Sequence, residues 1–414
     1  MIKVNRHILK NGLRIVHSED TSTRMVALNI LYNVGARDEH PGRTGLAHLS
    51  EHLMFGGSIN IPDYDTPVQI AGGENNAWTN NDMTNYYITL PYSNAEIGFW
   101  LESDRMLSLD FNEKGLEIQK NVVVEEFMQR NLNQPYGDVQ HILRDMAYKT
   151  HPYRWPTIGK ETSHIANTTL DEVKDFFCRF YAPNNAILAV SGNISFAETI
   201  RLAEKWFGDI PTRKIAPRKI PSERPQTKER RMTVLRNVPV DMLYMAFHIC
   251  GRKDSNYHTF DAISDMLCNG RSSRLIRRLV NEEKTFSSID AYVSGSIDDG
   301  LLYITGKPSA GTSLEEAEKA VWMELEKLKR YAVGKVELEK VKNRYESEMF
   351  FSNTNYLNVA ANLAFFELMG KAEDINEEVS KYRSVTPKQI TNAARKCFVP
   401  TNCNILYYRK ASDT

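Results

Sequence analysis

Thr169-Leu-Asp-Glu172 leads into Tyr181-Ala-Pro183-Asn-Asn185-Ala-Ile-Leu188, and Thr386-Pro-Lys-Gln389 leads into Phe398-Val-Pro400-Thr-Asn402-Cys-Asn-Ile-Leu406. Thr169 to Thr386, Pro183 to Pro400 and Asn185 to Asn402 share one offset, 217 residues. Each Thr opens a capping box, with Glu172 or Gln389 at the third helical position. Each helix stops before a Pro, and an apolar strand follows. One match could be chance; a register held from the cap to the strand marks a duplicated domain.

Outward from this repeat, Ile8-Leu-Lys-Asn-Gly-Leu-Arg-Ile-Val16 carries Asn11-Gly12 between two apolar runs, a hairpin signal. Met25 to Val34 reads as a buried strand, as do Tyr86–Leu90 and Ala186–Val190. Helical patterns lie near residues 44–56, 93–108, 112–133 and 169–181. The mixture means α+β or α/β. Residues 211–231 differ in kind: Pro211, Pro217, Pro221 and Pro225 alternate with basic residues, which reads as a linker. The expected division is therefore 1–210, a linker at 211–231, and 232–414. The linker's basic run holds no aromatic for stacking on bases, which argues against a nucleic-acid arm.

Composition narrows the function. The chain has 414 residues with 52 Lys+Arg and 52 Asp+Glu, so its formal charge is zero and it has no general pull on polyanions. Hydrophobic residues are 42% and charged residues 25%, as in an ordinary globular protein. No stretch approaches the roughly 18 apolar residues of a membrane span. The first ten residues lack the apolar run of a signal peptide, so a cytoplasmic protein is expected, or a periplasmic one if a leader has been removed. Cys178, Cys250, Cys268, Cys397 and Cys403 are odd in number and form no C-x-x-C pair; small buried hydrophobes are expected rather than disulfides or a cysteine–zinc site.

The segment that carries chemistry is Thr44-Gly-Leu-Ala-His48-Leu-Ser-Glu51-His52-Leu-Met-Phe55. On a helix His48, Glu51 and His52 share a face, while Leu46, Leu49 and Leu53 form an apolar stripe that can anchor it. Two imidazoles one turn apart can bind one zinc ion, and a carboxylate between them can take a proton from water. The order is H-x-x-E-H. With 10 His and 52 acidic residues, chance supplies such a match in about 3% of chains of this length. A third ligand should come from Glu117-Ile-Gln119-Lys-Asn-Val-Val-Val-Glu125-Glu126-Phe127, a helix with Leu116, Val123 and Phe127 on one stripe. Composition does not choose between Glu125 and Glu126.

With these residues in view, the sequence resembles the pitrilysin/insulysin family of zinc peptidases, the inverzincins, which include the mitochondrial processing peptidase. The resemblance spans essentially the whole chain: Val34-Gly-Ala-Arg37, His48-Leu-Ser-Glu51-His52, Gly72-Gly-Glu-Asn-Asn76-Ala77-Trp78-Thr79, Asp82-Met-Thr84-Asn-Tyr86-Tyr87, the Glu126 helix and Tyr181-Ala-Pro-Asn-Asn185. It implies an α+β fold of two homologous domains, each a mixed, mainly antiparallel sheet packed with helices, enclosing a chamber. It implies one zinc per chain, on the first domain, held by His48, His52 and Glu126, with Glu51 as general base. It also implies that Asn76, Ala77, Trp78 and Thr79 form an edge strand that pairs with an extended peptide substrate. The family commonly has a second Glu seven residues before the ligand Glu; Gln119 stands there, a departure that touches tuning of the site rather than ligation.

The second half carries no zinc motif: laid on Ile263–Leu267, the His, Glu and His become Ile263, Met266 and Leu267. Members of the family that act alone or as homodimers carry an Arg and a Tyr, seven residues apart, in the second domain. Here Val280 and Ser287 stand at those places, and Arg277, Arg278 and Tyr292 are off register, expected as surface and sheet residues. The resemblance therefore implies a homologous partner subunit that supplies the Arg/Tyr pair, with a homodimer as the other arrangement. A non-catalytic scaffold subunit and a peptidase that trims leaders at a defined site are the rival readings. The intact zinc motif argues against the scaffold, and nothing in the sequence separates the leader-trimming enzyme from a general oligopeptidase.

Overall fold

A computed structural model describes residues 1–411. Its strands are β1 (Asn5–Ile8), β2 (Arg14–Glu19), β3 (Met25–Tyr32), β4 (Glu74–Thr79), β5 (Thr84–Pro91), β6 (Ala186–Gly192), β7 (Arg230–Arg236), β8 (Met242–Ile249), β9 (Phe286–Val293), β10 (Gly300–Pro308) and β11 (Cys403–Lys410). The main helices are α1 (Leu46–Leu53), α2 (Ala95–Leu107), α3 (Glu113–Phe127), α4 (Val139–Ala147), α5 (Leu170–Phe180), α6 (Phe196–Phe207), α7 (Tyr257–Cys268), α8 (Leu314–Arg330), α9 (Lys335–Ser352), α10 (Tyr356–Met369) and α11 (Pro387–Cys397).

The duplication is visible in the sheets. One has the order β1-β2-β6-β3-β5-β4 and the other β7-β11-β8-β10-β9. Apart from β1 they match strand for strand. β2 runs parallel to β6 as β7 does to β11, and the remaining pairings are antiparallel in both. β3 and β8 begin 217 residues apart, as do β6 and β11. Both capping boxes form: the Glu172 amide donates to Thr169 Oγ1 at 3.3 Å, and the Gln389 amide to Thr386 Oγ1 at 3.3 Å. Asn185 Nδ2 donates to the Phe180 carbonyl at 2.8 Å and Asn402 Nδ2 to that of Cys397 at 3.0 Å, so each Asn ties off the helix before it.

The compact units do not follow chain order. The first comprises residues 1–128, 155–221 and 349–377; the second comprises 129–154, 222–348 and 378–414, of which 412–414 lie outside the described residues. A cut at the linker, into 1–210 and 232–414, separates the repeats but not the units. The physical reason is that both sheets are apolar on both faces. In the first unit Leu28, Ile30 and Tyr32 of β3 pack with Phe99 of α2, Phe176 and Phe177 of α5, and Leu202 and Phe207 of α6. The opposite face, on β2, β3 and β6, is covered by α10, from the second half of the chain. In the second unit Met245 and Phe247 of β8 pack with α7, α8 and α11. Tyr244 and Ala246, on the other face, pack with Val139, Leu143 and Met146 of α4, from the first half. α4 and α10 themselves begin 217 residues apart, so the repeats exchange equivalent helices.

The linker is shorter and tighter than its composition suggests. Arg230 and Arg231 already belong to β7. In the first unit, Arg213 Nη1 donates to the carbonyls of Phe177 at 3.0 Å and Tyr181 at 2.9 Å, while Arg218 Nε lies 2.6 Å from Asp38 Oδ1. In the second, Glu223 Oε2 accepts the amides of Lys149, Thr150 and His151 at 2.8–3.0 Å. Arg213 and Arg218 thus act as internal straps, while Lys214, Lys219, Arg224 and Lys228 are exposed. Cys268, Cys397 and Cys403 are buried as expected, but Cys178 is exposed on α5. Among the described residues no helix is long and apolar enough to cross a membrane.

Candidate metal centre

α1 begins abruptly. Its N-cap is Gly45, at φ +90°, where an added Cβ would meet Ile165 Cδ1 at 2.5 Å and the Ile158 carbonyl at 2.8 Å. Only glycine takes that conformation in that space without strain. A helix start leaves backbone amides without partners, and Glu39 takes two of them. Its Oε2 accepts from the Gly45 amide at 2.9 Å and its Oε1 from that of Ala47 at 2.8 Å; Trp155 Nε1 donates to the same Oε2 at 3.0 Å. Burial pushes the Glu39 carboxyl up to about 8, and the donors on Ala47, Gly45 and Trp155 offset that only in part.

The apolar stripe of α1 anchors it as expected. Leu46, Leu49 and Leu53 pack with Leu116 and Val123 of α3, and with Ile165 and Val173. α3 is itself capped by Asn112, whose Oδ1 accepts the Gly115 amide at 2.7 Å. With both helices fixed, His48 and His52 point away from the apolar seam and toward α3. Their rings are 4.7 Å apart, nearly perpendicular.

Glu126 closes the cluster. Its Oε2 lies 3.7 Å from His48 Nε2 and 3.5 Å from His52 Nε2. The donor atoms of the three residues all lie within 4.8 Å of one another, and no other group of three or more His, Cys, Asp or Glu among the described residues is placed to hold a metal. The two nitrogen–oxygen spacings are too long for ordinary hydrogen bonds. They suit neighbouring corners of a tetrahedron around an ion bound at roughly 2.0–2.2 Å, whose corners stand about 3.4 Å apart. Two imidazoles and a carboxylate are also a donor set that zinc takes, so the residues fit the ion. Glu125, which the sequence left open as an alternative, is exposed. Gln119 is half-buried two turns before Glu126 on the same helix.

Glu51 is buried on α1, between the two histidines in sequence. Thr79 Oγ1 donates to its Oε2 at 2.5 Å. Tyr86 and Tyr181 stand behind it, fully buried, and their phenols are held neutral by burial with help from the Glu51 charge; Tyr181 is pushed up to about 12. One side of Glu51 is thus a dry wall of two neutral phenols.

The stretch Asn76–Thr79 lies in β4, an edge strand that pairs only with β5. Asn76 and Trp78 are exposed on one face of the strand; Ala77 and Thr79 share the opposite face, that of Glu51. The Ala77 amide, turned away from β5, donates to Asn76 Oδ1 at 2.8 Å. Val280 packs against the core of the second unit, and the Ser287 hydroxyl donates to the Lys307 carbonyl at 3.1 Å. Arg277 and Arg278 are surface residues paired with Glu282, and Tyr292 stacks on Tyr303 in the sheet.

Glu39 is legible in the sequence only indirectly. The signal was a helix beginning Thr44-Gly-Leu with no Ser, Thr, Asp or Asn at its cap, which requires an acceptor from elsewhere. The Thr79 hydroxyl carries no sequence signal of its own, because its partner Glu51 lies 28 residues away on another element.

Residues 14–161 match the family described as Insulinase (Peptidase family M16), and residues 167–345 match the Peptidase M16 inactive domain. The zinc protease PqqE of Helicobacter pylori is 26% identical over 407 residues, covering 97% of this chain and 91% of that protein. The crystal structure of a protease from Helicobacter pylori superposes with a TM-score of 0.92 at 26% identity, over 99% of this chain and all of that one. Pitrilysin superposes at a TM-score of 0.80 and 18% identity over 99% of this chain but only 45% of its own, a likeness of fold.

Proposed function

The chain belongs to the insulinase family of peptidases, M16, and on that premise we propose that it is a zinc-dependent endopeptidase acting on unfolded peptides or oligopeptides. The observation that carries this reading is the cluster of His48, His52 and Glu126, whose donor atoms lie within 4.8 Å of one another, with Glu126 Oε2 3.7 and 3.5 Å from the two Nε2 atoms. Zinc held there would supply Lewis-acid polarisation of a peptide carbonyl and would acidify a water.

The chain's own groups then divide the work. Glu51 takes the proton from the attacking water and returns it to the leaving amine. Its carboxylate accepts a hydrogen bond from Thr79, on the strand that offers its open edge to substrate. An extended peptide adds to β4 by main-chain pairing, which recognises backbone rather than one side chain. The Ala77 amide, now met by Asn76 Oδ1, is a donor such a strand would take over.

A partner completes the proposal. The positions read as Arg and Tyr in family members that act alone hold Val280 and Ser287 here, and neither can donate to a developing oxyanion as a guanidinium or phenol would. This chain matches less than half the length of pitrilysin. A homologous subunit bearing the pair would complete a two-chain enzyme.

Glu51→Gln is expected to retain one zinc per chain while turnover falls about 10²- to 10⁴-fold. Metal content and cleavage of a mixed peptide library, measured on the same preparation, check this; undiminished turnover would falsify the assignment of Glu51. The partner is tested by comparing the purified chain with the chain mixed with a homologue from the same source. Equal activity in the two excludes the two-chain arrangement.

A further inference from the structure

Thr79 and Thr84 face each other directly across the β4–β5 hairpin. Thr84 is fully buried and its hydroxyl donates to the Val34 carbonyl at 2.9 Å, with Thr79 Oγ1 3.4 Å away. Thr79 in turn donates to Glu51 Oε2 at 2.5 Å. A β-branched side chain has few χ1 states in a strand, so the Thr79 oxygen is a fixed point set by the sheet. A glutamate has three torsions and up to about 2 kcal/mol of rotamer freedom to lose. A base must meet its proton within hydrogen-bond reach, so holding one carboxylate oxygen matters more to the rate than to substrate binding.

We propose that Thr79 is a positioning residue: its hydroxyl holds one oxygen of Glu51, so that the strand offered to the peptide also aims the base. This rests on the reading of Glu51 as base. It gives the Thr79 side chain a task separate from the main-chain pairing of β4. It also places the control of Glu51 on a different element from the helix that carries it, since α1 supplies the residue and β4 the restraint.

The test uses the full chain with Thr79→Val, which keeps the size and branching but removes the donor, and Thr79→Ser, which keeps the donor. The first readout needs neither metal nor turnover. The infrared difference spectrum between the metal-free chain and its Glu51→Gln variant isolates the Glu51 carboxylate. In the Thr79→Val background its antisymmetric stretch should move to higher frequency, as loss of a donor requires, and Thr79→Ser should restore it. The second readout is kinetic. Thr79→Val should keep its zinc and a KM within about twofold while kcat falls about ten- to a hundredfold, and Thr79→Ser should recover most of kcat. Adding Thr79→Val to Glu51→Gln should cost nothing further, since residues acting as a unit are not additive.

An unmoved carboxylate band, a Thr79→Ser chain as slow as Thr79→Val, or a rise in KM at constant kcat each overturns the proposal. If Thr79→Val is fully active while Glu51→Gln is dead, only the positioning role fails. If Glu51→Gln is itself fully active, the base reading fails and takes this one with it.

Discussion

α1 and α7 hold the same place in two copies of one fold, and they are used in opposite ways. α1 presents His48 and His52 to α3 and keeps them partly open. α7 buries Ile263, Met266 and Leu267 almost completely, in the core of the second unit. The sheets around them match strand for strand, and so do the capped helices that follow. The difference teaches that this fold is held by its sheets, caps and exchanged cover helices, while the cluster of His48, His52 and Glu126 is an overlay of a few side chains. One copy devotes the helix to a polar cluster that fits an ion; the other devotes it to packing.

Mirror-image substitutions are the strongest way to break that comparison. His52→Leu should abolish zinc binding and turnover and leave thermal stability unchanged or raised relative to the metal-free wild type, because a partly exposed imidazole is replaced. Leu267→His should do the reverse. Its side chain is 0% exposed, and exchanging it for a polar ring without a partner should cost about 3–5 kcal/mol and lower the Tm, with zinc still bound by the folded fraction. Calorimetry together with metal content reads both. A Leu267→His chain as stable as wild type would show that α7 is not the packing element described here.

The two regions also differ in how much of them was legible beforehand. The repeat, its capping boxes and the shared face of His48, Glu51 and His52 could be read because each depends on residues close together in sequence, or on one fixed offset. The choice of Glu126 over Glu125 needed a second helix at a known angle, which periodicity does not supply. The exchange of α4 and α10 was hidden for a related reason. The apolar faces of Val139, Leu143 and Met146, and of α10, declare that they are buried but not which sheet buries them. The straps made by Arg213 and Arg218 were concealed by composition, since basic residues among prolines look the same whether they are solvated or pinned.

Glu39 sharpens the comparison at the start of α1, by a smaller effect. Its carboxyl is raised from the ordinary value near 4.5 to about 8. An acid whose pKa rises on folding binds its proton more tightly in the folded state. The stability it lends is full below the unfolded value and is lost as pH climbs toward the folded one. Glu39→Gln titrates nothing in that window. The Tm of wild type relative to Glu39→Gln should therefore fall as pH is raised from about 4.5 to 8 and then level off. A constant difference over that range would mean that the three donors keep Glu39 charged throughout.

The smallest effect bears on the repeat itself. Thr169 and Thr386 are both exposed, both cap a helix of 11 residues and both bond the amide of the third helical residue at 3.3 Å. If the copies are equivalent at this point, Thr169→Ala and Thr386→Ala should each cost about 1 kcal/mol, measured by denaturant midpoint at constant slope. The copies do differ in the partner. Gln389 is neutral, whereas Glu172 is a carboxylate that also accepts from Arg43 Nε at 2.8 Å. Partial burial works against its charge, but the Thr169 amide and the Arg43 guanidinium outweigh that and hold Glu172 below the ordinary range. A depressed carboxylate lends stability above its unfolded pKa and loses it as pH falls through the folded one. The Thr169 hydroxyl is a further donor to Glu172 Oε2, at 3.3 Å, and Thr169→Ala removes it, so the cost of Thr169→Ala should exceed that of Thr386→Ala near neutrality and the two should converge once Glu172 is protonated. Equal costs at every pH would mean that the charge at the first cap does nothing the neutral amide at the second does not.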